Sequence, residues 1–189
     1  MTADDFRFVG GRASLDLIAT LGKRHADPVE RLPDGTAAAA WLVQSGVLPE
    51  QARPVVTARQ LADLRALREV INRLVRAAMA GRRLGRSDVA ALNGSAARPG
   101  LVPTLVRPGV MQLTWGSDDP VDVGTSHIAR DAVTLLAEEE SAHRIKECAN
   151  PDCSLLFLDD SQSLRRRWCS MDRCGNLAKI HAYRRRLSH

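Results

Sequence analysis

Four cysteines, the only ones in the chain, lie at or beyond position 148 and form two equal pairs. Each pair has the spacing C-x4-C, and fifteen residues separate the pairs. Zinc in structural sites takes four ligands in a tetrahedral arrangement, and four thiolates complete its coordination shell. The sequence therefore predicts one structural Zn²⁺ held by Cys148, Cys153, Cys169 and Cys174. Free thiols or two disulfides are the alternative.

The segment around the cysteines predicts a treble-clef-like finger, with the order zinc knuckle, β-hairpin, zinc knuckle and helix. The two strands are predicted at 155–159 and 165–169, and the helix at 175–187. So few apolar residues rarely hold a fold alone, and zinc binding supplies the missing folding energy. The apolar side of the helix, predicted to face the core of the finger, carries Leu177, Ile180 and Leu187.

A catalytic zinc is the alternative to a structural zinc. It would need an open coordination position and a nearby general base. Four cysteines leave no open position, and the H-x-E…C-x-x-C pattern of nucleoside deaminases is absent from the sequence. His25, His127 and His143 are scattered, and the sequence shows no nucleophile–base pair and no glycine-rich phosphate loop. We therefore expect a structural zinc and no enzymatic activity.

The net positive charge of the chain is concentrated in the same segment. The protein carries 27 basic and 22 acidic residues. Ten of the basic and five of the acidic residues fall in 144–189, which leaves 17 of each sign in 1–143. Such asymmetry indicates an anionic partner for the tail, most often a nucleic acid.

Two groups of residues in the tail are candidate nucleic-acid contacts. A run of three arginines precedes the second cysteine pair, where cations can neutralise phosphates. The predicted last helix presents an amide, a phenol and further cations, which can reach base edges or phosphates. The complete set is Arg165, Arg166, Arg167, Asn176, Lys179, Tyr183, Arg184, Arg185 and Arg186. The alternative is a solvated helix face whose arginines complement the helix dipole, on a finger that binds a protein.

Residues 1–143 form the other predicted domain, which is mainly α with a small β-hairpin and has a core separate from that of the finger (144–189). The clearest helix is predicted at 57–80, and shorter ones at 13–21, 36–45, 87–93 and 126–139. The hairpin is predicted from 101–106 and 110–115. Residues 138–141 are predicted to connect the domains. Asp16 is expected to cap locally or to pair with Arg12 or Lys23.

The tail resembles the CGNR zinc finger of bacterial proteins, which is named for a Cys-Gly-Asn-Arg motif at the fourth ligand. Cys174, Gly175 and Asn176 match this motif, whereas Leu177 stands where the family has arginine. The departure removes one cation from the start of the helix and leaves the zinc ligands intact.

The head of the chain, FVGGRASLDLIAT at 8–20, resembles the opening of the ABATE domain, which reads close to G-x-x-x-LDFVNT. Asp16 and Thr20 match, and Ala19 stands where asparagine is usual. The two resemblances cover essentially the whole chain. They imply a regulator of the kind regarded as stress-induced transcription factors, with a DNA-binding finger on a sensor domain.

The resemblance and the charge together predict the partners: DNA for the finger, and a small molecule or a protein for the N-terminal domain.

The opening MTADDFRF lacks the pattern of a signal peptide, and no apolar run reaches the ~20 residues of a membrane span. We therefore expect a cytoplasmic protein. A two-fold dimer would match palindromic DNA sites, although the sequence contains no clear coiled-coil seam. A finger that only mediates protein contacts remains the alternative.

Overall fold

The computed structural model describes residues 6–187 of the chain. Within that range, the description leaves out the side chains of Leu113, Trp115, Glu139, His181, Ala182, Tyr183, Arg185, Arg186 and Leu187. The helices are α1 (Ala13–Ile18), α2 (Gly35–Gln44), α3 (Ala58–Met79), α4 (Arg86–Ala96), α5 (Pro120–Ala137), α6 (Glu139–Arg144) and α7 (Asn176–Leu187). The strands are β1 (Leu21–Gly22), β2 (Val29–Glu30), β3 (Leu101–Arg107), β4 (Val110–Trp115), β5 (Ile145–Glu147) and β6 (Leu156–Leu158). They form three separate antiparallel pairs, β1–β2, β3–β4 and β5–β6.

Helix α3 forms where the sequence pattern is strongest, and its predicted limits are confirmed within one residue. Thr57 is the N-cap: its Oγ1 accepts from the backbone N–H of Gln60 at 3.3 Å, and Gln60 Oε1 accepts from the N–H of Thr57 at 3.0 Å. This reciprocal capping box satisfies two amides that the first helical turn leaves open. The apolar stripe of α3 is buried at Leu61, Leu64, Leu67, Ile71, Leu74 and Val75.

Two other helices begin earlier than the sequence predicted. Helix α2 begins one residue before the predicted position 36, and Asp34 caps it, because Asp34 Oδ1 accepts from the N–H of Ala37 at 2.8 Å. Helix α5 begins six residues before the predicted position 126, at Pro120. Asp119 caps it, and proline suits a first helical position, where no N–H bond is needed.

The predicted helix at 13–21 and the predicted connection at 138–141 are both wrong in extent. Helix α1 stops at Ile18 because the chain then enters β1, which pairs with β2 at Leu21↔Glu30. Most of the expected connection is helical instead, as the first part of α6. The end of α1 is set by the pairing of β1 with β2, which lies further along the chain. Helix α6 continues past the predicted segment to Arg144.

The hairpin β3–β4 confirms the prediction for the N-terminal part. Leu101 pairs with Trp115, and Leu105 pairs with Met111. Gly109 adopts φ +76° in the turn, a left-handed conformation that glycine reaches without a steric penalty.

The predicted hairpin of the finger is wrong in one strand. β6 lies inside the predicted 155–159, but its partner is β5, which precedes the first cysteine pair. Residues 165–169 form no strand. The segment is held as a loop instead, because the N–H of Arg166 donates to Asp159 Oδ2 at 2.9 Å and the carbonyl of Arg167 accepts from the N–H of Ala149 at 2.9 Å. The first cysteine pair therefore lies in the turn of the β5–β6 hairpin.

The main core lies among α1, α2, α3 and α5. Its largest fully buried side chains include Leu15, Leu17, Ile18, Trp41, Leu42, Leu64, Ile71 and Ile128. In the part of the chain that the structure describes, no helix combines the length and the apolar character needed to cross a bilayer.

The finger shares this core, contrary to the expectation of separate cores. Ile145 of β5 and Leu156 of β6 are 4% and 1% exposed and belong to the same apolar cluster as the helices. The N–H of Leu158 donates to the carbonyl of Gly10 at 2.9 Å. In the other direction, Ala19 packs among the cysteines. The two segments are thus packed against each other through both side chains and backbone.

Candidate metal centre and nucleic-acid interface

The four cysteines converge from three places in the finger. Cys148 directly follows β5, and Cys153 closes a turn in which its N–H donates to the carbonyl of Asn150 at 2.9 Å. Cys169 ends the loop after β6, and Cys174 lies in the π-helical turn Met171–Gly175 that leads into α7. Their sulfur atoms all lie within 4.8 Å of one another, and all four residues are buried.

The sulfur separations fit a zinc ion. The Sγ atoms of Cys153 and Cys169 are 3.8 Å apart, and those of Cys169 and Cys174 are 3.7 Å apart. A tetrahedral shell with Zn–S bonds of about 2.3 Å places its sulfurs about 3.8 Å from one another. The four cysteines can therefore hold one structural zinc ion, and four thiolates leave no position for a reacting water.

The thiols of the cysteine cluster influence one another's ionisation. Hydrogen bonds from Cys153 and Cys169 lower the pKa of Cys148, and the bond to Cys148 raises the pKa of Cys153. The pKa of Cys169 is raised furthest, by its bonds to Cys148 and Cys153 and by burial. Ionisation of one thiol thus opposes ionisation of its neighbours. A bound divalent metal removes that opposition and takes the place of the protons.

Apolar side chains from both parts of the chain enclose the sulfurs. Leu155 and Phe157 of the finger are 3% and 0% exposed, and Ala19 from the end of α1 is 3% exposed. Val9 and Trp168 pack against the same cluster. The N–H of Cys169 donates to the Sγ of Cys148 at 3.5 Å, a bond that favours the thiolate. The N-terminal part therefore contributes directly to the wall of the metal site.

Asp159 organises the arginine-rich loop that follows β6. Its side chain is completely buried and accepts from Lys146 Nζ at 2.6 Å, from the Oγ and N–H of Ser161 at 2.6 and 3.1 Å, and from the N–H of Arg166 at 2.9 Å. Burial opposes its ionisation, but these bonds outweigh burial and hold the pKa of Asp159 well below its usual range. Lys146 also donates to the carbonyl of Leu164. The role of Asp159 was not predicted, because its local sequence does not reveal the bonds from Lys146 and from the N–H of Arg166.

The three arginines predicted to contact nucleic acid have different surroundings. Arg165 and Arg167 are exposed. Arg166 is turned inward: its Nε donates to the carbonyl of Trp168 at 3.0 Å, its Nη2 donates to the carbonyl of Cys169, and its guanidinium stacks 4.6 Å from the centre of the Phe157 ring. Arg166 thus braces the second cysteine pair, while its neighbours face solvent.

Helix α7 carries the remaining predicted contacts. Asn176 and Lys179 are exposed in its first turns, and Asn176 Nδ2 donates to the carbonyl of Asp172 at 3.2 Å. Arg184 is exposed as well. The predicted contacts of Tyr183, Arg185 and Arg186 concern side chains outside the described part of the chain.

The prediction that Leu177 and Ile180 face the core of the finger is wrong. They are 47% and 46% exposed. The core of the finger is already filled by cysteines, by Leu155 and by Phe157, and partly by Ala19. The side chain of Leu187, the third residue of that prediction, lies outside the described part of the chain.

An open cleft of about 660 Å³ separates the start of α7 from the N-terminal part. The N-terminal wall includes Gly22, Lys23 and Arg31, and Arg31 Nη1 donates to the carbonyl of Ala19 at 3.2 Å. The finger wall includes two zinc ligands, the two exposed apolar residues of α7 and two acids: Cys153, Cys174, Leu177, Ile180, Asp152 and Asp172. Residues of the metal site and of the β1–β2 end of the N-terminal part therefore line the same cleft.

A partly buried ion-pair network in the N-terminal part was also not predicted from the sequence. Arg68 donates to both carboxylate oxygens of Glu30 at 2.7 Å and through Nε to Glu69 at 2.8 Å. Arg24 binds Glu69 at 2.8 and 3.0 Å. Burial opposes ionisation of both carboxyls, but the arginine bonds outweigh it and lower the pKa values of Glu30 and Glu69. The network reaches the finger, because the N–H of Arg24 donates to Ser154 Oγ at 2.9 Å.

The side chain of Asp16 makes a local backbone bond, but it does not cap α1, and its bond is to an amide rather than to the expected cations. Its Oδ1 accepts from the N–H of Gly10 at 2.8 Å, so it fixes the loop before α1. Burial raises the pKa of Asp16 to about 6. Arg12 pairs with Asp131 instead, at 2.8 Å, and Ser14 donates to the same carboxylate.

Two family profiles match the chain and together span most of it. The ABATE profile, described as a putative stress-induced transcription regulator, matches residues 11–139. The CGNR zinc finger profile matches residues 144–187 and includes all four cysteines. A search of curated protein sequences finds no match. Because the first profile alone covers more than half of the chain and the second covers the metal site, the chain belongs to the ABATE family and carries a CGNR zinc finger.

Proposed function

We propose that the protein is a DNA-binding transcription regulator whose zinc finger contacts a duplex through exposed basic and polar side chains. The observation that carries this proposal is a pair of exposed arginines on a loop of the finger whose backbone is fixed. Arg165 and Arg167 project from a loop that is fixed at its base by the buried Asp159. A fixed loop backbone loses little freedom when its arginines meet phosphates, and each contact releases counterions from the DNA.

The proposal assigns different roles to the loop and to the helix. Arg165 and Arg167 contact phosphates, which positions the finger without reading sequence. Asn176 and Lys179, exposed at the start of α7, contact base edges or phosphates beside a groove. Arg166 is a positioning residue, because its guanidinium is bound to carbonyls of the finger. Arg184, together with Tyr183, Arg185 and Arg186 of the same helix, is assigned to contacts with the phosphate backbone of the DNA.

The N-terminal part is proposed to receive a signal, from a small molecule or a protein, and to pass it to the finger. The shared core supports this role, since Leu156 and Ile145 of the finger pack among its helices. The cleft between β1–β2 and α7 provides a second route, because residues of both parts and two zinc ligands line it. The proposal includes no catalytic step, and it assigns the protein to the cytoplasm, where bacterial DNA lies.

The experiment is a salt titration of duplex binding with matched variants. In Arg165→Gln/Arg167→Gln, binding to all sequences should weaken alike, and the slope of log K against log salt should flatten by about 1.8, or about 0.9 for each lost phosphate contact. Arg53→Gln/Arg59→Gln makes the same charge change at exposed positions of the N-terminal part and should leave the slope unchanged. Asn176→Ala should lower preference for a selected site by roughly 1–3 kcal/mol if Asn176 reads a base edge.

A protein-interaction module is the second candidate, and one observation favours it. Leu105 and Met111, paired across β3–β4, are 73% and 61% exposed. Paired apolar side chains at this exposure suit a protein contact better than a solvated surface. If the double variant Arg165→Gln/Arg167→Gln binds every duplex as well as the parent at each salt concentration, the finger does not use its charge on DNA, and this second function replaces the first.

A further inference from the structure

A second positively charged site lies in the N-terminal part, where α3 ends and α4 begins. A cleft of about 340 Å³ is lined there by Asn72, Arg73, Arg76, Ala77, Arg82, Arg83, Gly85 and Asp88. Four of these residues are arginines and only one is acidic. Residues 1–143 carry equal numbers of basic and acidic residues, so overall charge gives no hint of this local excess.

The end of α3 explains how the arginines come together. Gly81 adopts φ +62°, and its N–H donates to the carbonyl of Ala78 at 3.0 Å. The N–H of Arg82 then donates to the carbonyl of Ala77 at 2.9 Å. This left-handed turn ends the helix and reverses the chain. It brings Arg82 and Arg83 to the same cleft as arginines from the last turns of α3.

Two of the four arginines are already neutralised. Arg73 binds both carboxylate oxygens of Asp88, at 3.0 and 2.7 Å. Arg76 binds both oxygens of Glu147, at 3.2 and 3.0 Å. These pairs fix the side chains that form one wall of the cleft. Glu147 adjoins the first zinc ligand, so the wall is also attached to the finger.

The other two arginines have no such partner. Arg82 and Arg83 are exposed, and among the side chains that the structure describes no carboxylate lies at ion-pair distance from either. Unlike the arginines of a solvated helix face, they converge on a concave site whose opposite wall is held rigid. Guanidinium groups present several N–H donors in a planar fork, and that geometry matches the oxygens of a phosphate.

We propose that this cleft binds a phosphate group through Arg82 and Arg83. The proposal goes beyond the DNA contacts of the finger, because it concerns other residues and an anion that can bind in the absence of DNA. A nucleic-acid backbone and a phosphorylated small molecule present the same oxyanion. The test therefore uses a simple phosphate first and a duplex second.

The first experiment titrates the zinc-loaded full chain with pyrophosphate and follows backbone amides by NMR. Amides of residues 81–88 should shift in the parent. In Arg82→Gln/Arg83→Gln, pyrophosphate affinity should fall by about tenfold or more, because charge-assisted bonds are lost. The control Arg53→Gln/Arg59→Gln removes the same charge at the opposite end of α3, which is about 30 Å away for a helix of this length, and it should bind pyrophosphate as the parent does.

The second experiment repeats the duplex salt titration with the same two variants. A slope that flattens by about 1.8 only in Arg82→Gln/Arg83→Gln identifies the phosphate as nucleic-acid backbone. An unchanged slope with lost pyrophosphate binding identifies a phosphorylated small molecule. The proposal is overturned if pyrophosphate leaves the amides of 81–88 unmoved, or if the control variant loses as much affinity as the test variant. Neither result depends on whether Arg165 and Arg167 contact DNA.

Discussion

Leu156 offers a sharp test of how the finger is joined to the N-terminal part. It lies in β6, between the two cysteine pairs, yet its side chain is 1% exposed and packs in the core formed by the helices. Truncating a buried leucine to alanine removes apolar contacts and leaves a cavity, at a cost of about 2–5 kcal/mol. We therefore expect Leu156→Ala to lower the free energy of unfolding of the N-terminal core by about 3 kcal/mol.

The assay uses tryptophans placed in the two regions. Trp41 is 1% exposed in the main core, and Trp168 packs against the cysteine cluster. Two proteins are made, one that keeps only Trp41 and one that keeps only Trp168, with the other two of the three tryptophans replaced by phenylalanine. Urea unfolding of each zinc-loaded protein is followed by fluorescence. Leu156→Ala should move the Trp41 transition to lower urea. Leu177→Ala truncates a leucine of the finger that is 47% exposed, and it should change the free energy of unfolding by less than about 1 kcal/mol.

The result that refutes the shared core is a Trp41 transition unchanged by Leu156→Ala while the Trp168 transition shifts. The finger would then unfold by itself, as its sequence had suggested. Equal shifts of both transitions support a single cooperative unit.

Three further predictions follow from single sites. Elemental analysis should find about one zinc per chain in the parent and much less in Cys174→Ser, whose Trp41 transition should also shift because the cores are shared. Folding raises the pKa of Asp16 to about 6, from an ordinary value of 3.8, so the stability it contributes is present below about pH 4 and is lost as the pH rises through 6. Urea unfolding at pH 7 should accordingly show Asp16→Asn more stable than the parent by about 1–3 kcal/mol, with a smaller difference at pH 5. Leu177→Arg, which restores the arginine of the CGNR motif, should tighten duplex binding little, because Asp152 and Asp172 line the same cleft and compete for the new cation; a salt slope steeper by about 0.9 would contradict this.

Features set by neighbouring residues could be predicted from the sequence. The capping box at Thr57 and the apolar repeat after it define α3, and the turn at Gly109 defines the hairpin β3–β4. The two cysteine pairs predicted the metal site because their spacing is regular and zinc demands four ligands. In each case the deciding contacts lie within a few residues or follow from a fixed coordination number.

Features set by distant contacts could not be predicted in this way. The partner of β6 precedes the first cysteine pair, and nothing in residues 155–169 reveals that choice. Arg166 belongs to a run of three arginines that look equivalent in the sequence, yet a ring and two carbonyls turn it inward. Leu177 has an apolar side chain at helical spacing, but cysteines and residues of the N-terminal part already fill the core it would join.

Net charge does not reveal the local excess of arginines for a related reason. Residues 1–143 carry equal numbers of basic and acidic residues, and the turn at Gly81 nevertheless brings Arg82 and Arg83 beside two paired arginines. Net charge is an average over a surface, whereas binding depends on which charges lie together and which already have partners.

The most direct test of DNA binding by the zinc finger is duplex affinity measured with and without zinc across a salt series. We expect the zinc-loaded chain to bind DNA with log K falling linearly against log salt, and we expect a chelator to abolish this binding, because the loop with Arg165 and Arg167 and the helix with Asn176 are held in place around the metal. Re-addition of zinc should restore it. Duplex affinity that is independent of salt, or that survives complete removal of zinc, would contradict a zinc-organised DNA contact.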